Sequence, residues 1–291
     1  YSDLSDLSNM MNLKIPRPLV HASFRFGQFS KLEGIFVPNF EGPYFAESGR
    51  WAPAQMAMIS QLPESNIIRP GTTLDYAQAG LRFTTTIGGA ADIGFQYYYG
   101  RLTTPVVTVT EPTGTPLLPV ATFVYNPYHQ FGLDYAQVIA GFNLRAELAA
   151  NLTDDLDGDD GSVYNPSLAW SLGFDRDLFT GVNLNLQCNE TARLLDGEIS
   201  GPQDIEAGSG ITATRITAAL SKKFLRDELE LKAACLWEVE SGACLGTPSF
   251  IWTNNDVAVE LSACIFAGSD EGLFGQFRNN SFVKAGLKYM F

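Results

Sequence analysis

One pattern recurs along almost the whole chain: apolar and polar side chains alternate every second residue. Successive side chains of a β-strand point to opposite faces, so this alternation predicts strands with one apolar and one polar face. No helical period of comparable length competes with it. We identify thirteen such segments, at 18–26, 32–39, 74–86, 92–100, 128–138, 141–151, 165–174, 181–191, 210–222, 227–238, 250–252, 257–266 and 281–291.

The connections between these segments alternate in length. The short ones are GQFSK, IGGAA, the step at Ile139 and Ala140, DRDLFT, FLRD and TNND. The long ones are 40–73, 101–127, 152–164, 192–209, 239–249 and 267–280. A soluble sandwich has no physical reason to collect its long loops at one end, whereas an outer-membrane barrel has tight periplasmic turns and long extracellular loops. We therefore predict one domain over 1–291, an all-β, transmembrane, antiparallel up-and-down β-barrel with a periplasmic C-terminus.

The faces of single segments fit this prediction. In 227–238 one face carries Leu229, Leu231, Ala233, Cys235 and Trp237, and the other carries Glu228, Glu230, Lys232 and Glu238. A soluble β protein packs the apolar face inward, whereas a barrel in lipid turns it outward and lines its lumen with the charges. Periodicity alone does not separate the two arrangements, and the loop pattern favours the barrel.

Composition excludes several classes of function. No stretch is long and apolar enough for a spanning helix. The net charge of −13 argues against a nucleic-acid partner, because phosphate binding needs a basic surface. The four cysteines have no CxxC spacing and no nearby histidine, so a zinc site is not expected.

The last segment, SFVKAGLKYMF, ends with Tyr289 and Phe291 on its apolar face. It resembles the closing strand of bacterial outer-membrane β-barrels, whose final Phe is an assembly signal read by the insertion machinery. Upstream, NMMNLKIPRPLVHASFRFGQFSKLEGIFVPNFEGPYF and AGLRFTTTIGGAADIGFQYYYGRLTTP resemble porin-like barrels related to alginate-export channels. The resemblance covers about the first third and the last strand, and it implies a Gram-negative outer membrane with lipid and lipopolysaccharide as surroundings.

Thirteen strands conflict with the even strand number of single-chain bacterial barrels. We therefore expect about fourteen strands, with one or more N-terminal strands outside this sequence or supplied by a partner chain or oligomer. A miscount at 101–127 or 250–252 is the alternative.

Charges on the predicted lumen face are nearly balanced, whereas most of the excess acid lies in the long connections. Ion pairs that brace the wall are one interpretation, because unpaired charges in a confined lumen are costly. Selective conduction is the other, because rings of charge discriminate between ions. The candidate lumen and selectivity residues are Arg25, Arg82, Arg145, Glu147, Arg215, Glu230, Lys232, Glu260, Lys284 and Lys288.

The loop DDLDGDDG spaces Asp155, Asp157 and Asp159 like the oxygen ligands of a calcium loop. Its glycines lie at 158 and 161 rather than at 160, and Pro166 occupies the position of the twelfth-residue glutamate of an EF-hand. A solvated acidic tip and a weak surface calcium site are therefore both open interpretations. No other cofactor is expected.

Catalysis is not expected. The chain has only His21 and His129, and five positions separate His129 from Asp134, which places them on opposite faces of a strand. Cys188 and Cys235 are expected to face lipid and Cys264 the lumen, with Cys244 in an outer loop, where it is either free or paired. Aromatic residues at strand ends are expected to form interface belts, and loops 40–73 and 101–127 either cap the mouth or constrict the barrel.

The function favoured by the sequence is a porin-like channel for passive diffusion of small hydrophilic or anionic solutes. A plugged structural barrel that serves as a surface anchor or as part of an envelope assembly is the alternative.

Overall fold

The computed structural model describes residues 2–7, 14–71, 73–113, 118–178, 181–199, 201 and 204–289. Its main feature is an antiparallel sheet of thirteen strands, each paired with the next along the chain, which confirms the predicted all-β up-and-down arrangement. The strands are β1 Val20–Phe26, β2 Ser30–Val37, β3 Gln78–Ile87, β4 Ala91–Arg101, β5 Pro127–Ile139, β6 Phe142–Thr153, β7 Ser167–Asp177, β8 Val182–Arg193, β9 Thr212–Phe224, β10 Leu229–Glu238, β11 Cys244–Asn254, β12 Val257–Ala267 and β13 Phe282–Tyr289. Among the described residues no pairing joins β1 to β13, so the sheet has two free edges.

One end of the sheet carries only tight connections, and we call it the short-turn end. The tightest turn is Ala140–Gly141, where both residues have positive φ, 52° and 79°, as a two-residue hairpin turn requires. The opposite end, which we call the long-loop end, carries the segments 38–77, 102–126, 154–166, 194–211, 239–243 and 268–281.

Strand β11 corrects the sequence prediction. The pattern predicted a strand at 250–252 after a loop at 239–249, but the strand begins at Cys244 and the preceding connection is only 239–243. Gly246 and Pro248 interrupt the apolar alternation and hide the first half of the strand. Proline is tolerated because the pairing of β11 with β12 skips Thr247 and Pro248.

The long connections have structure of their own. Segment 102–126, predicted as a loop, contains a hairpin of Val106–Thr113 with Leu118–Val124. Its second strand pairs in parallel with Ile67–Ile68 of segment 38–77, so the two connections form one small sheet. Segment 38–77 also holds the helix Ala54–Ile59, short 3-10 turns at Glu64–Asn66 and Leu74–Tyr76, and Tyr44–Phe45, which pairs with Asp3–Leu4. Further 3-10 turns lie at Asp196–Glu198 and Gly275–Asn280.

The thirteen-stranded sheet is curled. The Trp51 ring lies 5.7 Å from that of Phe266 in β12 and 6.2 Å from that of Phe282 in β13. In a flat sheet β12 would lie about 48 Å from β2, close to the limit of about 50 Å that fourteen fully extended residues after Val37 reach. The segment is not extended, since it turns at Gly49–Ala52. The sheet must therefore bend toward the face that carries Phe266 and Phe282, which we call the inner face.

Buried apolar residues lie at the long-loop end rather than in the body of the sheet. One cluster surrounds Trp51 and includes Leu245, Cys264, Phe266 and Phe277. The other surrounds Phe40 and joins the two loops through Ile59, Ala121, Phe123 and Tyr125. The middle of the sheet thus has no hydrophobic core among the described residues.

Candidate functional site: the inner face of the sheet

The two faces of the sheet differ sharply in polarity. Large apolar side chains on the outer face are exposed from edge to edge, including Phe24 (67%), Leu81 (56%), Leu172 (57%) and Leu287 (78%). The inner face carries mostly charged, amide, hydroxyl and glycine residues. The surface polarity is therefore the inverse of that of a soluble β protein.

Strand register places all ten predicted lumen residues on the inner face. Arg82 lies opposite Glu33, Arg145 opposite Ala136, and Arg215 opposite Glu238, with the others in the same alternation. These strand pairings show on which face the residues lie, and the role of the residues in transport stays a prediction. They surround the concave side from β1 to β13.

Several of these charges form ion pairs along the wall. Arg82 Nη2 lies 2.9 and 3.1 Å from the two carboxylate oxygens of Asp134, two strands away. Arg145 lies 2.9 Å from Asp175, and Lys232 lies 3.1 Å from Glu230 on its own strand.

The sequence prediction missed Asp175, and it placed Glu238 on the polar face of its strand without including it among the candidate lumen residues. Glu238 is buried and lies 3.6 Å from Arg215 Nε. Asp175 continues the inner alternation of β7, but the predicted segment stopped at 174, one residue before Asp175 and three before the end of the strand. The signal was present in the sequence, because extending the same parity by one residue finds it.

Five of the ten candidate lumen residues have no ion-pair partner within 4.0 Å in the described part of the chain: Arg25, Glu147, Glu260, Lys284 and Lys288. Arg25, Lys284 and Lys288 lie on the two edge strands, and all three are exposed. Lys223 of β9 is a further inner-face cation without an ion pair, so three of the four such cations among the described residues lie on the edge strands.

Between the charged positions runs a stripe of amide and hydroxyl groups. Gln130 Nε2 donates to Asn151 at 3.0 Å, and Asn151 Nδ2 donates to Ser167 at 3.2 Å. On β8, Gln187 donates to Ser171 and to Asn189. The sequence signal was the run NLNLQCN, whose amide residues all occupy inner positions. These groups give the wall an uncharged polar lining.

The mouth of the concave side is partly covered by what we call the cap, the small sheet and helix formed by segments 38–77 and 102–126. Trp51 anchors the cap to β12 and β13. Arg50 reinforces this anchor, because its guanidinium donates to the Asn280 carbonyl at 2.6 Å and lies 4.5 Å from the Trp51 ring. Trp51 thereby contacts the inner-face side chains of Phe266 and Phe282, and a constriction of the barrel by this loop stays a prediction.

An ion pair ties the start of the cap to the segment before β1. Glu41 accepts a hydrogen bond from the Tyr44 hydroxyl and forms an ion pair with Arg17. The Tyr44 hydroxyl and Arg17 together hold the pKa of Glu41 below its usual range.

A cavity of about 360 Å³ lies at the long-loop end above β6 to β9. Arg193 lines it, and its guanidinium pairs with Glu206 at 3.0 Å and with Asp196 at 3.2 Å. Thr153 and Tyr164 line the other side. Since Arg193 is already paired twice, its charge is not free to meet a ligand in this cavity.

The acidic loop is organised around Asp155. Its carboxylate accepts hydrogen bonds from the backbone N–H groups of Gly158, Asp159 and Asp160, so its oxygens are occupied by the loop itself. Asp157 and Asp159 are exposed. In the described ranges no three acidic, histidine or cysteine side chains lie close enough to hold a metal ion. The calcium site stays a prediction without geometric support here.

Both histidines have structural partners. His21 Nε2 lies 3.3 Å from Glu33 on the inner face. His129 lies on the outer face, 2.8 Å from the Tyr97 hydroxyl through Nδ1, whereas Asp134 faces inward. The predicted separation of His129 from Asp134 is confirmed.

The four cysteines are free thiols in the structure. Cys188 and Cys235 face outward and Cys264 inward, as predicted. Cys244 was placed in a loop by the sequence, and this is wrong because it is the first residue of β11.

The predicted assembly signal is only partly visible. Tyr289 lies at the end of β13 on the outer face and is 63% exposed, whereas Phe291 lies outside the described residues.

Comparison with models of known protein families finds no match to this chain, and comparison with curated proteins finds no relative. Among the residues that the structure describes, no helix is long and apolar enough to cross a membrane.

Proposed function

We propose that this protein is a bacterial outer-membrane β-barrel that acts as a porin-like channel for passive diffusion of small hydrophilic or anionic solutes. The observation that carries the proposal is the inverted polarity of the sheet. An exposed apolar face that runs over thirteen strands far exceeds the few hundred Å² of a normal soluble surface patch, and lipid is the solvent that matches it.

The placement of aromatic residues supports a membrane setting. Tyr97, Tyr99 and Trp237 lie on the outer face near the long-loop end, and Phe174 and Trp252 lie on it near the short-turn end. Tyrosine and tryptophan favour membrane interfaces because one part of the ring is apolar and another is polar. Strands of twelve residues tilted by about 40° span roughly 30 Å, the thickness of a hydrocarbon core.

A closed barrel of fourteen such strands would have a backbone diameter of about 28 Å. Side chains and the cap would reduce this width, so the channel would filter by size at the mouth and by charge along the wall. Arg25, Arg82, Arg145 and Arg215 are the residues that would favour anions.

A plugged structural barrel is the second candidate. The specific observation that favours it is the cap, because an aromatic cluster and the Arg50 hydrogen bond hold segment 38–77 against the far wall. Such a barrel would insert into lipid without conducting.

The test is single-channel conductance in a planar lipid bilayer under a salt gradient. We expect stable open steps, and Gln substitutions at the four arginines should shift the reversal potential toward cation preference. Arg278→Gln, in a long connection, is the matched control because its charge lies outside the inner face. Unchanged reversal potentials in the inner-face variants would refute the selectivity mechanism. Protein that inserts well but does not conduct would favour the plugged barrel. A protein that stays monodisperse without detergent would be a soluble one.

Extracellular long loops, contact with lipopolysaccharide and recognition of the Tyr289–Phe291 end by the insertion machinery belong to the same proposal. So do the weak calcium site at Asp155, Asp157 and Asp159 and the absence of enzymatic activity.

A further inference from the structure

The two free edges of the sheet run in the same direction. β1 enters its hairpin at the short-turn end, so it runs from the long-loop end toward the short-turn end. β13 follows the connection 268–281 and runs the same way. Direct pairing of the edges would therefore be parallel, unlike every other pair in the large sheet, and one intervening strand would restore antiparallel pairing on both sides.

In the described part of the chain each edge strand pairs with one neighbour only, β1 with β2 and β13 with β12. All seven residues of β1 are exposed, as are all residues of β13 after Phe282. An open edge presents unpaired backbone N–H and C=O groups that template the addition of a strand. Such groups must be satisfied in lipid, where water does not compensate for them.

The side chains beside the opening specify which strand fits. On the outer side both edges offer apolar residues, Val20 and Phe24 on β1 and Val283 and Leu287 on β13. On the inner side they offer Arg25, Lys284 and Lys288.

The strands next to these edges do not neutralise this charge. Lys31 and Glu33 of β2 pair with each other at 2.9 Å, and Glu260 of β12 lies opposite Gly286. Four cations thus face two acids over the four strands at the opening, in a chain whose total charge is −13. The opening is a local positive patch in an acidic protein.

We propose that the opening between β1 and β13 binds one extended polypeptide strand, antiparallel to both edges, with apolar residues on its outer side and acidic residues on its inner side. This inference rests on the proposed barrel function, because lipid makes the open edges costly. A second copy of this chain in the same membrane orientation does not meet the requirement, since its edges run in the same direction as those they would join.

The test uses the folded protein in detergent micelles and a fluorescent synthetic peptide of about ten residues that alternates Val, Leu and Tyr with Glu. A peptide with Lys in place of Glu is the control. We expect the Glu peptide to bind about tenfold more tightly, from two or three added cross-strand charge pairs. The double variant Lys284→Glu with Lys288→Glu should reverse this preference. Lys223→Glu, which changes an inner-face cation four strands from β13, should not.

Two results would overturn the proposal. One is equal binding of the two peptides, or binding of neither. The other is direct closure of the edges, which double-cysteine variants detect. Ala22→Cys with Ala285→Cys, and neighbouring outer-face pairs in a cysteine-free background, form disulfides only when the strands are adjacent, because the bond needs Cα atoms within about 7 Å. Insertion into lipid vesicles without peptide preference refutes only this inference, whereas failure to insert refutes the proposed function.

Discussion

Trp51 is the residue through which the cap is held to the far wall of the sheet, and replacing it should release the cap. The side chain is 7% exposed, and its ring packs at 5.7 Å against both Phe266 and Phe277. Truncating a buried Trp to Ala costs about 3–5 kcal/mol. If the free energy of cap docking is reduced by this amount, Trp51→Ala raises the undocked fraction a few hundred- to a few thousand-fold.

Cys264 offers a direct readout, because it is 5% exposed beneath the same cluster. In a background with Cys188, Cys235 and Cys244 changed to Ser, Trp51→Ala should accelerate labelling of Cys264 by a membrane-impermeant maleimide. Labelling should rise in proportion to the undocked fraction, and conductance of the inserted protein should increase with it.

The matched control is Trp237→Ala, which removes a Trp that is 43% exposed on the outer face, opposite to the face that the Trp51 cluster occupies. It should leave Cys264 as unreactive as in the parent. Equal labelling rates in the parent and Trp51→Ala would refute the reasoning, because the cluster would then not be what holds the cap in place.

Three further predictions concern the wall and the start of the cap. Gly94→Ala should destabilise the protein by about 1–3 kcal/mol in urea unfolding, because its Cβ would overlap the Asp134 carboxylate, whereas Gly246→Ala, with its nearest neighbour at 3.9 Å, should be far milder. A double-mutant cycle of Arg82→Gln and Asp134→Asn should give a coupling of only about 0.2–1 kcal/mol, since the Arg82 side chain is 47% exposed, and a value several times larger would contradict the solvated inner face. The pKa of Glu41 is lower in the folded protein, so its hydrogen bond and ion pair stabilise the cap at pH values above the unfolded pKa of about 4.3. This stabilisation is lost as the pH falls through the folded pKa. The carboxyl ¹³C shift of Glu41 should therefore stay constant from pH 8 to about 5 and change only below about 4.3.

Strand number and face were predictable because the repeat of two residues is a local property that the chain displays in nearly every segment. Errors arose where that signal is broken by residues tolerated for other reasons, as at Gly246 and Pro248 in β11. Segment 102–126 was missed for a related reason, because its hairpin belongs to a separate small sheet and carries several prolines and threonines.

The contacts of the inner face were less predictable. Parity alone assigns Arg82 to the inner face, but its pairing with Asp134 also requires Gly94 on the intervening strand to leave room. The docking of Trp51 has no periodic signature at all. It depends on contacts between this loop residue and apolar residues of β11 to β13 near the long-loop end, which are distant in sequence. Only the curl of the sheet brings these residues within reach of the loop.

The cap also acts as a tether. Segment 38–77 leaves the sheet one strand from the first edge and is fastened by Trp51 and Arg50 beside the last edge, so a short length of chain holds the two rims of the curled sheet at a limited separation. The same contact therefore both covers the mouth and limits how far the sheet can uncurl. A substitution that releases this contact lets the two rims move apart, so the position of the loop determines the width of the gap between them.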